Sequence, residues 1–179
     1  MGASLRFRIV GSALVVAATA AVVLAGSQSA FSAGAADTPP SIVEDYSYPG
    51  AAAILASDNL KLISGDGGIV HADCATPPVG DIGLIKVYTT EQIGADGQGL
   101  ACFQVLKRAG HLEMEVPGVY EIRGDGLKSG TGHKLTAIVR TDDGQLPPVT
   151  VNPSGSTQVG IGQDPGNPPT TLLQLTVTP

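Results

Sequence analysis

Tryptophan is absent from this sequence of 179 residues, and aromatic side chains of all kinds make up only 4% of it. Sugar-binding clefts stack their ligands on aromatic faces, so a carbohydrate module is disfavoured. Two of the three phenylalanines, Phe7 and Phe31, also fall within an N-terminal leader. An antibody-type immunoglobulin domain is excluded as well. It needs a tryptophan against its disulfide and a wider spacing of cysteines than Cys74 and Cys102 offer.

Chemistry-bearing motifs are equally scarce. No G-x-S-x-G elbow is present, and Ser129 and Ser156 sit in turn-like segments with the wrong spacing for a serine nucleophile. The three histidines, His71, His111 and His133, form no H-E-x-x-H or other short ligand pattern. No C-x-x-C pair exists. Basic residues are few and scattered against 16 acidic ones, a formal charge of −6. Such a chain repels phosphate backbones, which makes nucleic acid a poor partner.

What is present begins with an export signal. Arg6 and Arg8 precede an uncharged run rich in Ala, Val and Leu over residues 9–26, and small residues follow. Ala33-Gly34-Ala35 fits the A-x-A cleavage pattern, so residues 1–35 read as a signal peptide cut before Ala36, with a cut one residue later, before Asp37, fitting equally. The apolar run, broken by Gly11, Ser12 and Thr19, is short for a membrane anchor. Phe7 separates the two arginines, so the general secretion route is expected rather than the twin-arginine one. Loss of Arg6 and Arg8 leaves eight basic residues against sixteen acidic ones, a formal −8. The mature part is one domain's worth of chain, with no second long apolar stretch. After export no membrane association is expected.

Residues 36–48 form a loose lead-in, and residues 49–179 a single β domain. Pro49 and the alanines after it predict a short helix over residues 49–56, ended at Asp58-Asn59. The period then changes to two. The apolar runs 60–63 and 69–74 flank Ser64-Gly65-Asp66-Gly67-Gly68, which predicts a hairpin. Its second strand would turn Val70, Ala72 and Cys74 to one face and His71 and Asp73 to the other.

Further strands are expected at 84–89, 101–107, 111–116 and, after a break at Pro117-Gly118, 119–123. Leu112, Met114 and Val116 point inward. Beyond a glycine-rich link at 124–132, Leu135, Ala137 and Val139 mark another strand. Residues 149–151 form a short edge strand after two prolines, 159–161 another, and the last turns Leu173, Leu175 and Val177 inward. The fold expected is mainly β: an antiparallel β-sandwich or open barrel of about eight short strands with one short N-terminal helix.

Few residues qualify as site candidates. Cys74 and Cys102 pair by default in an exported chain, closing a loop of 28 residues. His71 with Asp73, and His111 with Glu113, each project from one strand face. On neighbouring strands they could hold zinc, but exposed strand positions are the better reading. Asp66, Asp96 and Asp125 lie in Asp-Gly segments that suggest calcium, yet match hairpin turns instead. Glu113 and Glu115 stand roughly 6.5–7 Å apart along a strand, in the range of paired glycosidase acids, and read as solvated. Tyr46 and Tyr48 form a possible interaction surface, since tyrosine couples area with a hydroxyl. The loop 91–99 is the second such surface.

Asp45-Tyr46-Ser47-Tyr48-Pro49-Gly50-Ala51-Ala52, then residues 60–67, residues 115–121 and the ending 171–175, resemble uncharacterised secreted proteins of actinobacteria. The resemblance covers most of the mature chain. It implies export and the Cys74–Cys102 pairing, and it carries over no functional residue, because no activity is established for that group.

The expectation for function is therefore a secreted, extracellular, non-enzymatic binding or interaction module. It has no cofactor or metal, and its partner is an extracellular protein or ligand. Two rivals stand beside it. One is an inhibitor of secreted proteases presenting residues 75–81. The other is a hydrolase whose site is assembled from distant residues.

Overall fold

A computed structural model describes residues 47–179. The signal peptide, most of the lead-in and Tyr46 lie outside the described residues. Helix α1 (Ala51–Asp58) begins two residues later than the proline suggests and ends at Asn59, whose left-handed backbone (φ 52°) lets its N–H bond to the Leu55 carbonyl. The strands are β1 (Lys61–Gly65), β2 (Ile69–Ala72), β3 (Ile85–Thr89), β4 (Leu100–Val105) and β5 (Gly110–Arg123). They continue with β6 (Lys134–Thr141), β7 (Gly144–Gln145), β8 (Val149–Val151), β9 (Ser156–Gln158) and β10 (Thr170–Thr178). The fold is mainly β, a single ten-stranded sheet whose pairings are all antiparallel.

Strand β5 is the spine. Its first half lies between β1 and β10, and its second half between β3 and β9. Pro117-Gly118 was expected to break the chain into two strands. Instead β5 runs through it as one element, and the pairing register shifts beside it on both neighbours. The first half leads through β10 to β6, which carries β7 and β8 on its far side. The second half leads through β3 to β4 and β2. Both halves contribute to one buried cluster, with Leu112, Met114, Val116 and Ile122 from β5 and Phe103 from β4 fully buried.

The hairpin expected between residues 60–63 and 69–74 does not form. Both strands exist, but β1 pairs with β5 while β2 pairs with β4. The connection is an Asp-centred crossing rather than a two-strand turn. The Asp66 carboxylate accepts the N–H groups of Gly68 (2.8 Å) and His111 (3.0 Å). Gly68 then passes so close to the next connection that a Cβ would stand 2.4 Å from the Ala109 carbonyl oxygen. Only glycine fits such an approach.

The face assignment in β2 is also reversed. His71 stands opposite the buried Phe103, while Val70 and Ala72 stand opposite Gln104 and Cys102 on the outer side. The disulfide therefore lies on the sheet's outer face and not beneath the core. At the C-terminal end the register shifts between Leu172 and Gln174 on both neighbours. That extra residue turns Leu172 inward in place of Leu173, with Leu175 and Val177 buried as expected. Residues 160–162 form a single 3-10 turn instead of a strand, and β9 precedes it.

Candidate functional site

Three connections are stitched together at the end of the sheet where β3 begins and β5 stops. Residues 78–83 fold around a tight turn in which Val79 and Ile82 exchange backbone hydrogen bonds of 2.8 and 3.1 Å. The Asp125 carbonyl accepts the Gly83 N–H at 2.7 Å, and the Asp81 carbonyl accepts the Leu127 N–H at 2.9 Å. Lys128 Nζ reaches the Asp81 carboxylate at 2.8 Å. The third connection joins through Gly124 N–H to the Gly155 carbonyl and Gly126 N–H to the Pro153 carbonyl. Gly132 sits at φ +98°, and a Cβ there would stand 2.4 Å from the Pro153 oxygen. The glycine-rich link is a packed crossing of backbones, and its composition follows from that.

Asp125 is the centre of this platform. It is 2% exposed. One carboxylate oxygen accepts the His133 backbone N–H at 2.9 Å, and the other meets His133 Nδ1 at 2.6 Å. The two contacts together hold the His133 ring in one orientation. His133 lines a cleft of about 320 Å³ with Arg108, Lys134, Thr178 and Pro179. A histidine and a buried acid in contact have the form that a catalytic base and its orienting group also take. Among the described residues, no serine, threonine or cysteine joins them with a hydrogen bond to the other ring nitrogen.

Two large apolar side chains project from the same stitched loops. Val79 is 75% exposed and Leu127 is 53% exposed. Their backbones are held by the bonds above, so neither owes its exposure to a loosely held loop.

The other candidates fall elsewhere. Cys74 and Cys102 are joined, with Cα atoms 5.2 Å apart. A disulfide suggests an oxidising, non-cytosolic location. No helix among the described residues is long and apolar enough to cross a membrane. The Tyr48 hydroxyl accepts the His71 N–H at 2.8 Å, and its ring packs on the core. Because β2 pairs only with β4, this tyrosine caps an open sheet edge.

His71 lies 3.4 Å from Asp58, and His111 lies 3.4 Å from Glu113. The two pairs do not meet, because β2 and β5 are not paired strands. No group of three or more His, Cys, Asp or Glu side chains that could hold a metal occurs among the described residues. His71 is not a solvated strand position. Burial against Phe103 pulls its pKa below the usual histidine value, with Asp58 and Asp73 pulling the other way. Glu113 is held low by the Ser64 hydroxyl and by His111. Glu115 is held low by Lys61, with Arg140 adding to the effect. Glu115 is engaged in ion pairs with Lys61 and Arg140 at the rim of a shallow cleft, and Glu113 accepts the Ser64 hydroxyl at 2.6 Å.

The loop 91–99 is pinned to the end of α1. Its Gly94 N–H bonds to the Asp58 carbonyl at 2.8 Å, and Ile93 is buried. The Asp125–His133 pair escapes a reading of the sequence. Gly124-Asp125-Gly126 looks like any Asp-Gly turn, and only burial distinguishes it from Asp66 and Asp96. Comparison with protein-family models and with curated proteins returns no match to this chain.

Proposed function

We propose that the exported chain is a non-enzymatic extracellular binding module that presents the loops stitched around Asp125 to a partner. The observation that carries this reading is the conjunction of Val79 and Leu127, both exposed, with backbones that are already hydrogen-bonded in place. Ordering a free loop on binding costs about 0.5–1.5 kcal/mol per immobilised side chain, and a loop ordered beforehand avoids much of that. The leader in the sequence and the disulfide support release into an oxidising space.

The protease-inhibitor version of this reading is weaker. A substrate-like loop lies extended on both sides of the bond it presents, whereas here the chain folds back at Gly80-Asp81, directly after Val79. The tip is better shaped as an apolar knob for a groove. The hydrolase reading rests on the Asp125–His133 pair, which lacks a bonded nucleophile among the described residues.

The test is capture from culture fluid and cell-envelope fragments on the immobilised secreted chain. Val79→Asp with Leu127→Asp is expected to abolish retention of partners that the parent chain holds, with unchanged thermal unfolding. Retention of the same partners by the double variant would sink the reading. A panel of ester and peptide substrates, run on the parent chain and on His133→Gln, decides the hydrolase alternative. Turnover that disappears in the variant would favour it.

A further inference from the structure

The outer face of β3 and β5 carries an arrangement that stability alone does not explain. Lys86 and Arg123 stand directly opposite each other in the antiparallel register. Like charges in that position repel and cost stability. The chain has twice as many acidic residues as basic ones in its mature part, so a neutralising partner is easy to supply.

Three of the eight basic residues in the described region have one, Lys61 and Arg140 on Glu115 and Lys128 on Asp81, and two more, Lys107 and Lys134, donate to the Asp66 and Pro179 backbone carbonyls. Lys86, Arg108 and Arg123 have none among the described residues. Two of these three are neighbours on one face.

The carboxylate on the same face of β5 is already engaged by other donors. Glu121 lies two residues before Arg123 on the same strand, opposite Tyr88. Its two oxygens are taken by donors from β9, the Ser156 hydroxyl and the Gln158 amide. Beside the cations lie two of the four tyrosines. Tyr88 follows Lys86 on the outer face of β3. The register shift between Tyr88 and Thr89 leaves Tyr120 as an extra residue in β5, and its ring meets that of Tyr88 with centroids 6.3 Å apart. A bulge re-aims a side chain in this way.

The chain as a whole is acidic and poor in aromatics, which speaks against sugars and polyanions, but this face gathers two unpaired cations and two of the four tyrosines, and we propose that it binds an anionic polysaccharide. The oxyanion of an acidic sugar sits between the Arg123 guanidinium fork and the Lys86 ammonium, and the sugar ring lies against Tyr88. A guanidinium presents paired donors that match a carboxylate or phosphate, and the ammonium adds a point charge. The site is distinct from the loops around Asp125 and stands whether or not those loops bind a protein.

The test is calorimetric titration of the secreted chain with an oligogalacturonate, with a neutral dextran oligomer of equal length and with sodium phosphate. The oligogalacturonate is expected to bind, and its affinity to fall as salt rises. Lys86→Ala and Arg123→Ala should each weaken it about tenfold. Tyr88→Ala should weaken it about threefold to tenfold. Arg108→Ala, which removes the third unpaired cation, should leave it unchanged.

Because the variants relieve repulsion, Lys86→Gln and Arg123→Gln should hold or raise the melting temperature while losing binding. Amide chemical-shift changes in the parent chain should centre on Lys86, Tyr88 and Arg123. The proposal is overturned if oligogalacturonate does not bind below about 1 mM (roughly −4 kcal/mol). It is also overturned if phosphate alone binds as tightly, which marks a free-anion site, or if dextran matches the acidic sugar. Shift changes that centre elsewhere overturn it too.

Discussion

Two histidine–aspartate pairs in this molecule are built in opposite senses. At the loop platform the acid is buried and the histidine half-exposed: Asp125 is 1% and His133 28% exposed in their side chains, at 2.6 Å. At the end of α1 the histidine sits against Phe103 and the two groups are similarly covered, 18% for His71 and 20% for Asp58, at 3.4 Å. The first pair organises its surroundings, because a buried carboxylate has to be met by partners, and His133 supplies its backbone N–H and a ring nitrogen. In the second, His71 packs on Phe103 and shares a small pocket of about 180 Å³ with Asp58 and Asp73. The same two residue types therefore serve as scaffold in one place and as packing and pocket lining in the other, and burial decides which.

The disulfide connects the two regions, since Cys74 follows the strand that holds His71 and leads into the loop that reaches Asp125. Replacing both cysteines by serine is expected to have the largest effect, a loss of about 3–4 kcal/mol for a loop of this length, read from urea unfolding. Should the loss stay well below 1 kcal/mol, the two regions are held by hydrogen bonds alone.

Asp125→Ala comes next. It leaves the His133 backbone N–H and ring nitrogen without this partner and is expected to cost about 2–4 kcal/mol, with faster amide exchange confined to residues 78–83, 124–133 and 152–155. Asp125→Asn, which keeps a side-chain acceptor, should cost less.

The pH response separates the pairs further. Burial lowers the His71 pKa in the folded chain, so the unfolded chain holds that proton more tightly. Stability contributed by neutral His71 is present above about pH 6.5, the ordinary histidine value, and is lost as the pH falls below it. His71→Gln should flatten the fall in melting temperature between pH 7 and pH 5. An unchanged profile would mean that His71 is not the group responsible. The smallest effect belongs to Asp58→Ala, at most about 1 kcal/mol at neutral pH, because a neutral ring offers Asp58 no more than a long hydrogen bond.

Much of this architecture is legible in the residues. The alternation at 111–116 and 134–141 marks core faces that the sheet buries without exception. The helix is present, displaced by two residues. The edge position of 149–151 follows from two prolines that cannot donate to a ladder. The disulfide follows from an even cysteine count with no C-x-x-C pair. The errors share one cause. A period of two says that residues alternate between faces, but not which face is inner or which strand is the neighbour. Two strands joined by an Asp-Gly turn were assigned to each other, and the turn instead carries the chain from one ladder to another. The phase in β2 and after Leu172 was inverted for the same reason, since a bulge or a crossing shifts it by one residue.

The candidate sites were the least legible part. Val79, Leu127, Lys86 and Arg123 carry no motif, and each gains meaning only from a neighbour far along the chain. By itself the sequence determined that this chain folds as a mainly β domain with one cross-link, because hydrophobic periodicity and cysteine count are local properties of the string. Tertiary structure alone decided that Asp125 is buried, that Glu121 is engaged by Ser156 and Gln158, and that two lone cations face each other. Those are contacts between residues up to dozens of positions apart, and only the pairing of strands brings them together.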